Sequence, residues 1–557
     1  LGDLVDNFTI VTTFDNTITT LNSGDGADII DIEAVNGPTF VDSGDGADVV
    51  NVTPSASGPV NSRSPRPLLP SAINARLTLD GGGAPGDVDT FTFTTIHTSA
   101  QPGTLTATEL TGLQMPLGIG YKNFEALDIL TLIDGVEFTI ESTHAGTTRL
   151  ATDSVACDST APEYNLSPYD LDSSACRFSF PDPLIEDSEN FKCPRGGTLT
   201  EDSIPNTTTP DPDDAIVFDR YCILDLGNDN ADTITVLSTG GETEIWTDRG
   251  ADTINVRTVG GATTVRAGDG DDTVNVGSNA PSTLGTLDTI SALLTVEGDD
   301  GDDTLNVDDT GDPTTDTGSL TSTTIRGLGM SDGIDYGTFE TLNIALSAES
   351  DLFDVISTHG GVTNITSRAG GDAIIIENIS GTVILDTGDA DDYVIIRSTN
   401  PGSLLIINSG IGVDWISVLG LQGTVILNGG EENDVFEIGS NADATRGVDT
   451  GGTLEGIVGH LVIGGDEPQS NGTTATNGAG NEDTLYVDDT GYTADTWALL
   501  TSTTLNGLSI RQSNEIQTVV IDAVRGTFSL SFGGETTGAL PHDASAGQVE
   551  AALSALS

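Results

Sequence analysis

Aspartate is the residue type whose placement in this chain could do chemistry. Asp232, Asp252 and Asp272 each open a similar segment, DTITV, DTINV and DTVNV, and they lie 20 residues apart. If such segments stack as parallel strands in register, equivalent carboxylates lie about 4.8 Å apart. Like charges at that distance repel by about 1 kcal/mol per pair in water. The row therefore needs a partner that neutralises it, and oxygen-rich turns favour Ca²⁺ as that partner.

The best candidate ligands are the aspartates of Gly/Asp-rich turns, each of which precedes an apolar segment. Ca²⁺ accepts roughly six to eight oxygen ligands in flexible geometry, and these turns offer carboxylates and free backbone carbonyls. The alternative is that each aspartate caps a turn and the row is merely solvated. The candidate ligands are Asp25, Asp28, Asp45, Asp48, Asp229, Asp232, Asp248, Asp252, Asp269, Asp271, Asp272, Asp299, Asp300, Asp302 and Asp303.

The residues around each aspartate predict the elements that would position it. In DTINV, Ile254 and Val256 alternate with polar residues, which is typical of a strand with one buried face. A shorter strand follows a glycine, as in GATTV from Gly261, and a Gly/Asp turn completes the repeat. One such repeat cannot bury its own apolar face and must stack on its neighbours. We therefore predict an all-β chain: a parallel β-solenoid (β-helix or β-roll) with 20-residue coils.

The turns GDGDDTVNV and GDGADVVNV resemble the haemolysin-type, or RTX, calcium repeats of large secreted bacterial proteins, whose nonapeptide is GGxGxDxUx with U apolar. They match it at the second Gly, the Asp and the apolar position. The resemblance implies a calcium-bound parallel β-roll outside the cell. This chain has one Gly/Asp turn per coil where the family has two, so we expect calcium on one edge only. The long repeat is also similar to segments of giant surface and filament proteins.

A longer repeat contains the coils. LTATELTGL, LTSTTIRGL and LTSTTLNGL begin at Leu105, Leu320 and Leu500. We therefore expect three solenoid modules at 1–150, 223–345 and 346–522, an insertion at 151–222, and a truncated hairpin and helix at 523–557 that could form a subunit junction. Because the pattern is already running at Leu1, the first module is incomplete, and we expect a processed chain or a slice of a longer array.

The insertion contains or borders all four cysteines, Cys157, Cys176, Cys193 and Cys222. A small segment without its own apolar core is a natural place for disulfides, and an even cysteine count fits an oxidising compartment. Three pairings are possible, of which the nested one, Cys157 with Cys222 and Cys176 with Cys193, would close the insertion at its base. A zinc site is the alternative, but the spacing contains no Cys-x-x-Cys pair.

The charge composition limits which classes of partner the chain is expected to bind. Formal net charge is −68, from 86 acidic and 18 basic residues. Such a surface repels nucleic acid and anionic membranes and attracts cations. No run of about 18 apolar residues is present, so membrane insertion is not expected. The acidity could also reflect a salt-loving source.

Sequons and histidines complete the candidate sites. If the chain is secreted, N-linked glycan could be attached at Asn7, Asn51, Asn165, Asn206, Asn364, Asn378 and Asn471. None of the five histidines lies in a metalloprotease or nucleophile motif. His144 and His359 occupy the same position in two modules, which indicates a repeated turn and not a single active site. We therefore predict no catalytic residues and no enzyme.

These features together favour a structural protein. We expect a rigid, calcium-stabilised, glycosylated β-solenoid rod in an extracellular filament, matrix fibre or cell-surface hair, with copies of itself as head-to-tail partners. An adhesin stalk or a glycan-binding surface protein is the alternative, and an exposed aromatic row would favour it. A β-helix polysaccharide-degrading enzyme is a third possibility, which the scarcity of Lys and Arg disfavours.

Overall fold

The structure is a computed structural model. It describes residues 4–54, 72–83, 86–97, 102–133, 137–152, 177–179, 198–202, 219–223, 231–247, 249–442, 451–464, 483–493, 498–500, 505–509, 527–529, 531–532, 535–541, 544–545, 548–549 and 551–552. Two compact units are present, Leu1–Ile510 and Arg511–Ser557. No helix within the described ranges is long and apolar enough to cross a membrane.

The described residues are almost entirely strands and turns. The strands up to the insertion are β1 Asn7–Ile10, β2 Thr19–Asn22, β3 Ile29–Ile32, β4 Thr39–Asp42, β5 Val49–Val52, β6 Leu77–Asp80, β7 Thr90–His97, β8 Gly103–Leu105, β9 Glu109–Gly112, β10 Met115–Lys122, β11 Ala126–Ile133, β12 Glu137–Ile140 and β13 Thr147–Thr152. Those from the insertion to the second module's end are β14 Arg177–Ser179, β15 Thr198–Asp202, β16 Asp219–Ile223, β17 Thr233–Val236, β18 Thr243–Trp246, β19 Thr253–Val256, β20 Thr263–Asp269, β21 Thr273–Val276, β22 Leu294–Asp300, β23 Thr304–Asp308, β24 Thr317–Leu320, β25 Thr324–Gly327, β26 Ile334–Gly337 and β27 Thr341–Ala345. The remaining strands are β28 Leu352–Val355, β29 Val362–Thr366, β30 Ala373–Ile376, β31 Thr382–Asp386, β32 Tyr393–Ile396, β33 Leu404–Asn408, β34 Trp415–Val418, β35 Thr424–Asn428, β36 Val435–Ile438, β37 His460–Gly464, β38 Thr484–Val487, β39 Ala498–Leu500, β40 Leu505–Gly507, β41 Thr527–Phe528, β42 Ser531–Phe532, β43 Glu535–Thr536 and β44 Leu540–Pro541.

Most strands belong to two large, mostly parallel sheets. Successive strands alternate between the sheets, so each strand pairs with the equivalent strand of the next repeat. For example, β17 pairs with β19 and β19 with β21, which places Ile234, Ile254 and Val274 in one column. All three side chains are fully buried. The predicted all-β class and the parallel, in-register pairing of 20-residue repeats are confirmed.

The core is a single apolar cluster that extends from Ile10 to Ile457. It forms because the alternating residues of both sheets point inward, and its largest members include Phe91, Phe138 and Phe436. Each fully buried side chain of this size contributes about 1.5–3 kcal/mol. Every repeat therefore depends on its neighbours for most of its stability.

The long repeat corresponds to an antiparallel excursion from the parallel sheets. In module 2, β24, β25 and β26 form an antiparallel meander, while β24 pairs in parallel with β28 and β26 with β22. The equivalent strands of module 1, β8, β9 and β10, pair in the same way. In module 3, β39 and β40 are also antiparallel. The copies in modules 1 and 2 thus share one local structure, and the described strands of the third copy form an antiparallel pair like the first pair of that structure.

The insertion leaves the stack intact. On either side of it, β12 pairs with β17 and β13 pairs with β18, so the coils before and after it are direct neighbours. Within it, β16 pairs antiparallel with both β14 and β15. Cys157, Cys176 and Cys193 and the side chain of Cys222 lie outside the described part of the structure, and the predicted disulfides remain predictions.

The unit Arg511–Ser557 contains the predicted hairpin. Here β41 pairs antiparallel with β44, and β42 pairs antiparallel with β43. Helical backbone is described at residues 548–549 and 551–552. Ser545 and Gln548 cap this turn, because the backbone N–H of Ser545 donates to Gln548 Oε1 at 2.9 Å and the N–H of Gln548 donates to the Ser545 carbonyl at 2.9 Å. The rest of the helix predicted at 543–556 lies outside the described residues.

Candidate functional site

A two-glycine turn positions the candidate aspartates. Gly268 and Gly270 have φ values of 104° and 141°, in the region that favours glycine. A Cβ at Gly270 would lie 1.6 Å from the carbonyl oxygen of Gly250 in the preceding turn. The turns therefore stack in direct contact. Between the two glycines, Asp269 faces solvent, whereas Asp272 after the turn is buried.

The aspartate after each turn is buried and joins a hydrogen-bonded row, which we call the aspartate ladder. Its Oδ1 accepts the backbone N–H of its counterpart in the preceding repeat, at 2.7 Å from Asp252 N to Asp272 Oδ1 and 2.8 Å from Asp372 N to Asp392 Oδ1. None of these residues is more than 3% exposed. The ladder comprises Asp28, Asp48, Asp89, Asp232, Asp252, Asp272, Asp303, Asp351, Asp372, Asp392, Asp414 and Asp434.

The second carboxylate oxygen of many ladder aspartates is unsatisfied. Oδ2 of Asp252 and of Asp414 is buried without a hydrogen-bond partner. The neighbouring Thr247 hydroxyl donates instead to the carbonyl oxygen of Ala267 at 2.8 Å. Burial, followed by the charge of adjacent ladder aspartates, raises the pKa of Asp252 to about 8 and that of Asp414 to about 7. These oxygens therefore need either a proton or a cation.

The remaining predicted ligands lie on the solvent side of the same turns. Asp25 and Asp45 stack on each other in a parallel bridge. Asp271 Oδ1 accepts the backbone N–H of Asp302 at 3.1 Å. The structure thus divides the predicted set into an inner row of Asp28, Asp48, Asp232, Asp252, Asp272 and Asp303 and an outer row of Asp25, Asp45, Asp269, Asp271, Asp299, Asp300 and Asp302. Asp229 and Asp248 lie outside the described residues.

A separate group of carboxylates, the Asp309 cluster, consists of Asp309, Asp312 and Asp316. Each contributes one carboxylate oxygen to a group whose members all lie within 4.8 Å of one another, and this group could hold a metal ion. Asp309 is 1% exposed and Asp312 is 4% exposed. Burial raises the pKa of Asp309 to about 7, with further contributions from the charges of Asp312, Asp316 and Asp351. The sequence analysis missed this cluster because it lies in a connection without the 20-residue period.

An asparagine row was also missed. On the exposed face of one sheet, Asn306 Nδ2 donates to Asn275 Oδ1 at 2.9 Å, and Asn343 Nδ2 donates to Asn306 Oδ1 at 2.7 Å. Asn364 Nδ2 continues the row to Asn343 Oδ1 at 2.7 Å. The sequence signal for this row is an Asn at the same strand position of successive repeats. The row shows that side chains as well as backbone groups are in register.

The predicted equivalence of His144 and His359 has a structural explanation. Nδ1 of each lies near a threonine hydroxyl, Thr148 or Thr363, at 3.1 and 3.3 Å. Each ring packs edge-on against a tyrosine, at 6.4 Å from the Tyr121 ring and 6.2 Å from the Tyr336 ring. Burial lowers the pKa of His144, which favours its neutral form. Both histidines thus contact a tyrosine of the antiparallel excursion in their module.

The predicted sequons occupy different environments. Asn378 is exposed in a turn between strands, and Asn7 is exposed in β1. Asn364 belongs to the asparagine row, and Asn51 Nδ2 donates to Asp31 Oδ1 at 3.0 Å. Asn165, Asn206 and Asn471 lie outside the described residues. Among the described sequons, Asn378 is thus the one that is exposed in a connection between strands.

Comparison with known proteins identifies no family for this chain. No protein-family model matches the chain, and no curated protein matches it. The features that bear on function are therefore the two sheets, the aspartate ladder, the outer acidic row and the Asp309 cluster.

Proposed function

We propose that the chain is a structural component of an extracellular filament, matrix fibre or cell-surface hair, built as a rigid, calcium-stabilised and glycosylated β-solenoid. The observation that carries the proposal is the continuous pairing of one strand per repeat. In one sheet, β17, β19, β21, β23, β27, β29, β31, β33, β35 and β37 follow one another in parallel register. Such an array has no single site to serve and grows by adding repeats.

Calcium is the proposed stabilising ion of the Gly/Asp turns. Support comes from the outer row of carboxylates, from the unsatisfied inner oxygens and from the resemblance of these turns to RTX repeats. A bound divalent cation would offset the repulsion within both rows. With 18 basic residues against 86 acidic ones, few lysines or arginines are available to do so. Within the described turns, Arg249 forms a salt bridge with Asp269 at 3.5 Å.

Ends suited to stacking support the proposed self-association. Within the described residues, β1 and β2 each pair on one side only, and Phe14 and Ile18 beside them are 77% and 74% exposed. In β38, Leu485 stacks on the buried Phe436 yet is 52% exposed. Open strand edges with apolar residues favour the addition of a further repeat. We propose that the added repeat belongs to another copy or to a flanking stretch of a longer chain.

Thermal unfolding followed by circular dichroism tests the calcium part of the proposal. The full chain is compared with excess Ca²⁺, with chelator, and with Na⁺ at equal ionic strength. We expect chelation to lower the midpoint by more than 10 °C, roughly the effect of several kcal/mol, and Ca²⁺ but not Na⁺ to restore it. Equal midpoints in all three conditions would contradict calcium stabilisation.

Negative-stain electron microscopy of the calcium-loaded chain tests for filaments.

A further inference from the structure

We propose that Asp309, Asp312 and Asp316 bind one calcium ion, which fixes the connection from β23 to β24 at the start of the antiparallel excursion of module 2. The site is separate from the Gly/Asp turns, so the proposal stands whether or not those turns bind calcium.

Each residue of the cluster already has a carboxylate oxygen or its backbone N–H in a hydrogen bond, and each keeps one carboxylate oxygen without a partner. Asp309 Oδ1 accepts the N–H of Leu287 at 2.8 Å, and Asp312 Oδ1 accepts the N–H and the hydroxyl of Thr314 at 2.8 and 2.7 Å. The N–H of Asp316 donates to Asp351 Oδ1 at 2.8 Å. The Oδ2 atoms of all three cluster members are buried without a hydrogen-bond partner. The cluster thus combines three unsatisfied, buried oxygens with carboxylates close enough to share one ion.

The equivalent connection in module 3 has other side chains at the corresponding positions. Asp489 corresponds to Asp309, and its Oδ1 accepts the N–H of Leu454 at 3.2 Å, as Asp309 does from Leu287. However, Asp489 Oδ2 accepts the N–H of Ser509 at 2.9 Å. In module 2 the residue at the position of Ser509 is Gly329, and Asp312 replaces Tyr492. Module 3 therefore satisfies the carboxylate with protein groups, whereas module 2 surrounds it with carboxylates.

The chemistry of the cluster selects the ion. All ligands are oxygens, which suit Ca²⁺ and Mg²⁺ and not softer metals. Ca²⁺ accepts irregular oxygen coordination, whereas Mg²⁺ demands near-octahedral geometry and keeps several of its waters, so three carboxylates on one buried connection favour Ca²⁺. The charges acting on Asp316 are those of Asp312, Asp351 and Asp288, all negative, so a divalent cation would offset a local repulsion.

The test compares the full-length chain with the double variant Asp312→Asn/Asp316→Asn. Asn keeps the oxygen that accepts from Thr314 but removes both charges. Asp332→Asn removes one exposed carboxylate from the same module and is the matched control. Equilibrium dialysis counts bound Ca²⁺ per chain, and hydrogen exchange with mass spectrometry follows the peptide that spans residues 309–320.

We expect the double variant to bind one Ca²⁺ fewer than the wild type and the control. At calcium 100 times its dissociation constant, exchange in this peptide should slow about 100-fold in the wild type and the control, but not in the double variant. In chelator the double variant should exchange more slowly than the wild type, since it lacks the repulsion.

Unchanged calcium stoichiometry, or slower exchange in the double variant both with and without Ca²⁺, would overturn the proposal and indicate a shared proton instead. The outcome is distinguishable from that for the turns: a wild type with a single Ca²⁺ that the variant loses supports this site and contradicts calcium at the turns. Addition of Mg²⁺ alone should leave the exchange rate of the peptide unchanged.

Discussion

At the scale of single residues, the turn glycines set how closely the repeats can stack. Gly270 combines a φ of 141° with a Cβ position 1.6 Å from the Gly250 carbonyl oxygen. We predict that Gly270→Ala separates adjacent turns and destabilises the chain by about 2–4 kcal/mol, because both backbone strain and a backbone clash must be relieved. Chemical denaturation with a fluorescence or circular dichroism signal measures the change.

The matched control for that substitution is Gly360→Ala. A Cβ at Gly360 has open space around it, and its φ lies outside the positive region. Its effect should stay within about 0.5 kcal/mol. Equal effects at Gly270 and Gly360 would show that close stacking of the turns is not what requires glycine.

Residue identity predicted the ladder positions but not their environment. The 20-residue spacing of Asp232, Asp252 and Asp272 was sufficient to place them in one row. That their side chains point inward, with Oδ1 fixed by a backbone N–H, depends on the conformation of the two-glycine turn and could not be read from spacing. The Asp309 cluster could not be predicted for another reason. Its members lie in a connection between strands, and the repeat period does not specify the path of that connection.

At the scale of the element, the aspartate ladder makes stability depend on pH. In the unfolded chain an aspartate has a pKa of about 3.9, whereas burial and neighbouring charge raise the pKa of Asp252 to about 8 and those of Asp272 and Asp392 to about 6. The folded state therefore binds protons that the unfolded state releases. Stability from these groups is complete below about pH 4 and is lost as pH rises through about 6–8.

We therefore predict that, in chelator at constant ionic strength, the thermal midpoint falls as pH increases from 5 to 8.5. Asp252→Asn should reduce this dependence, because Asn keeps the accepting oxygen and has no charge to bury. Saturating Ca²⁺ should oppose the trend, since a metal ion requires the ionised carboxylate. A midpoint that rises with pH in chelator would contradict the protonated ladder.

At this scale, the strands are what the sequence predicted well. Alternation of Ile and Val in segments such as DTINV identified the strands. The recurrence of LTSTT identified a segment that forms an antiparallel excursion in modules 1 and 2 and an antiparallel strand pair in the described part of module 3. The asparagine row was equally open to prediction from Asn275, Asn306 and Asn343. The insertion was recognised because the period stops there, yet the absence of any period also left its three strands unpredicted.

At the scale of the whole molecule, each repeat depends on its neighbours to bury its apolar side chains. Phe14 and Ile18 beside β1 and β2 are exposed, and Leu485 in β38 is exposed although its partner Phe436 in the preceding repeat is buried. Apolar ends of this kind lower their free energy by contacting another repeat. In the proposed self-association, contact through these residues would be heterologous and would not close, which would give linear polymers.

We predict that Phe14→Asp/Ile18→Asp abolishes concentration-dependent association of the calcium-loaded chain, measured by sedimentation velocity, while leaving its circular dichroism unchanged. The double variant Leu117→Asp/Ile356→Asp carries the same added charge at residues that are 56% and 43% exposed away from these strands, and it should associate like the wild type. If both variants associate normally, the apolar end is not the contact. If both lose association, net charge and not the end governs it, and a monomeric stalk becomes the better proposal for this all-β chain.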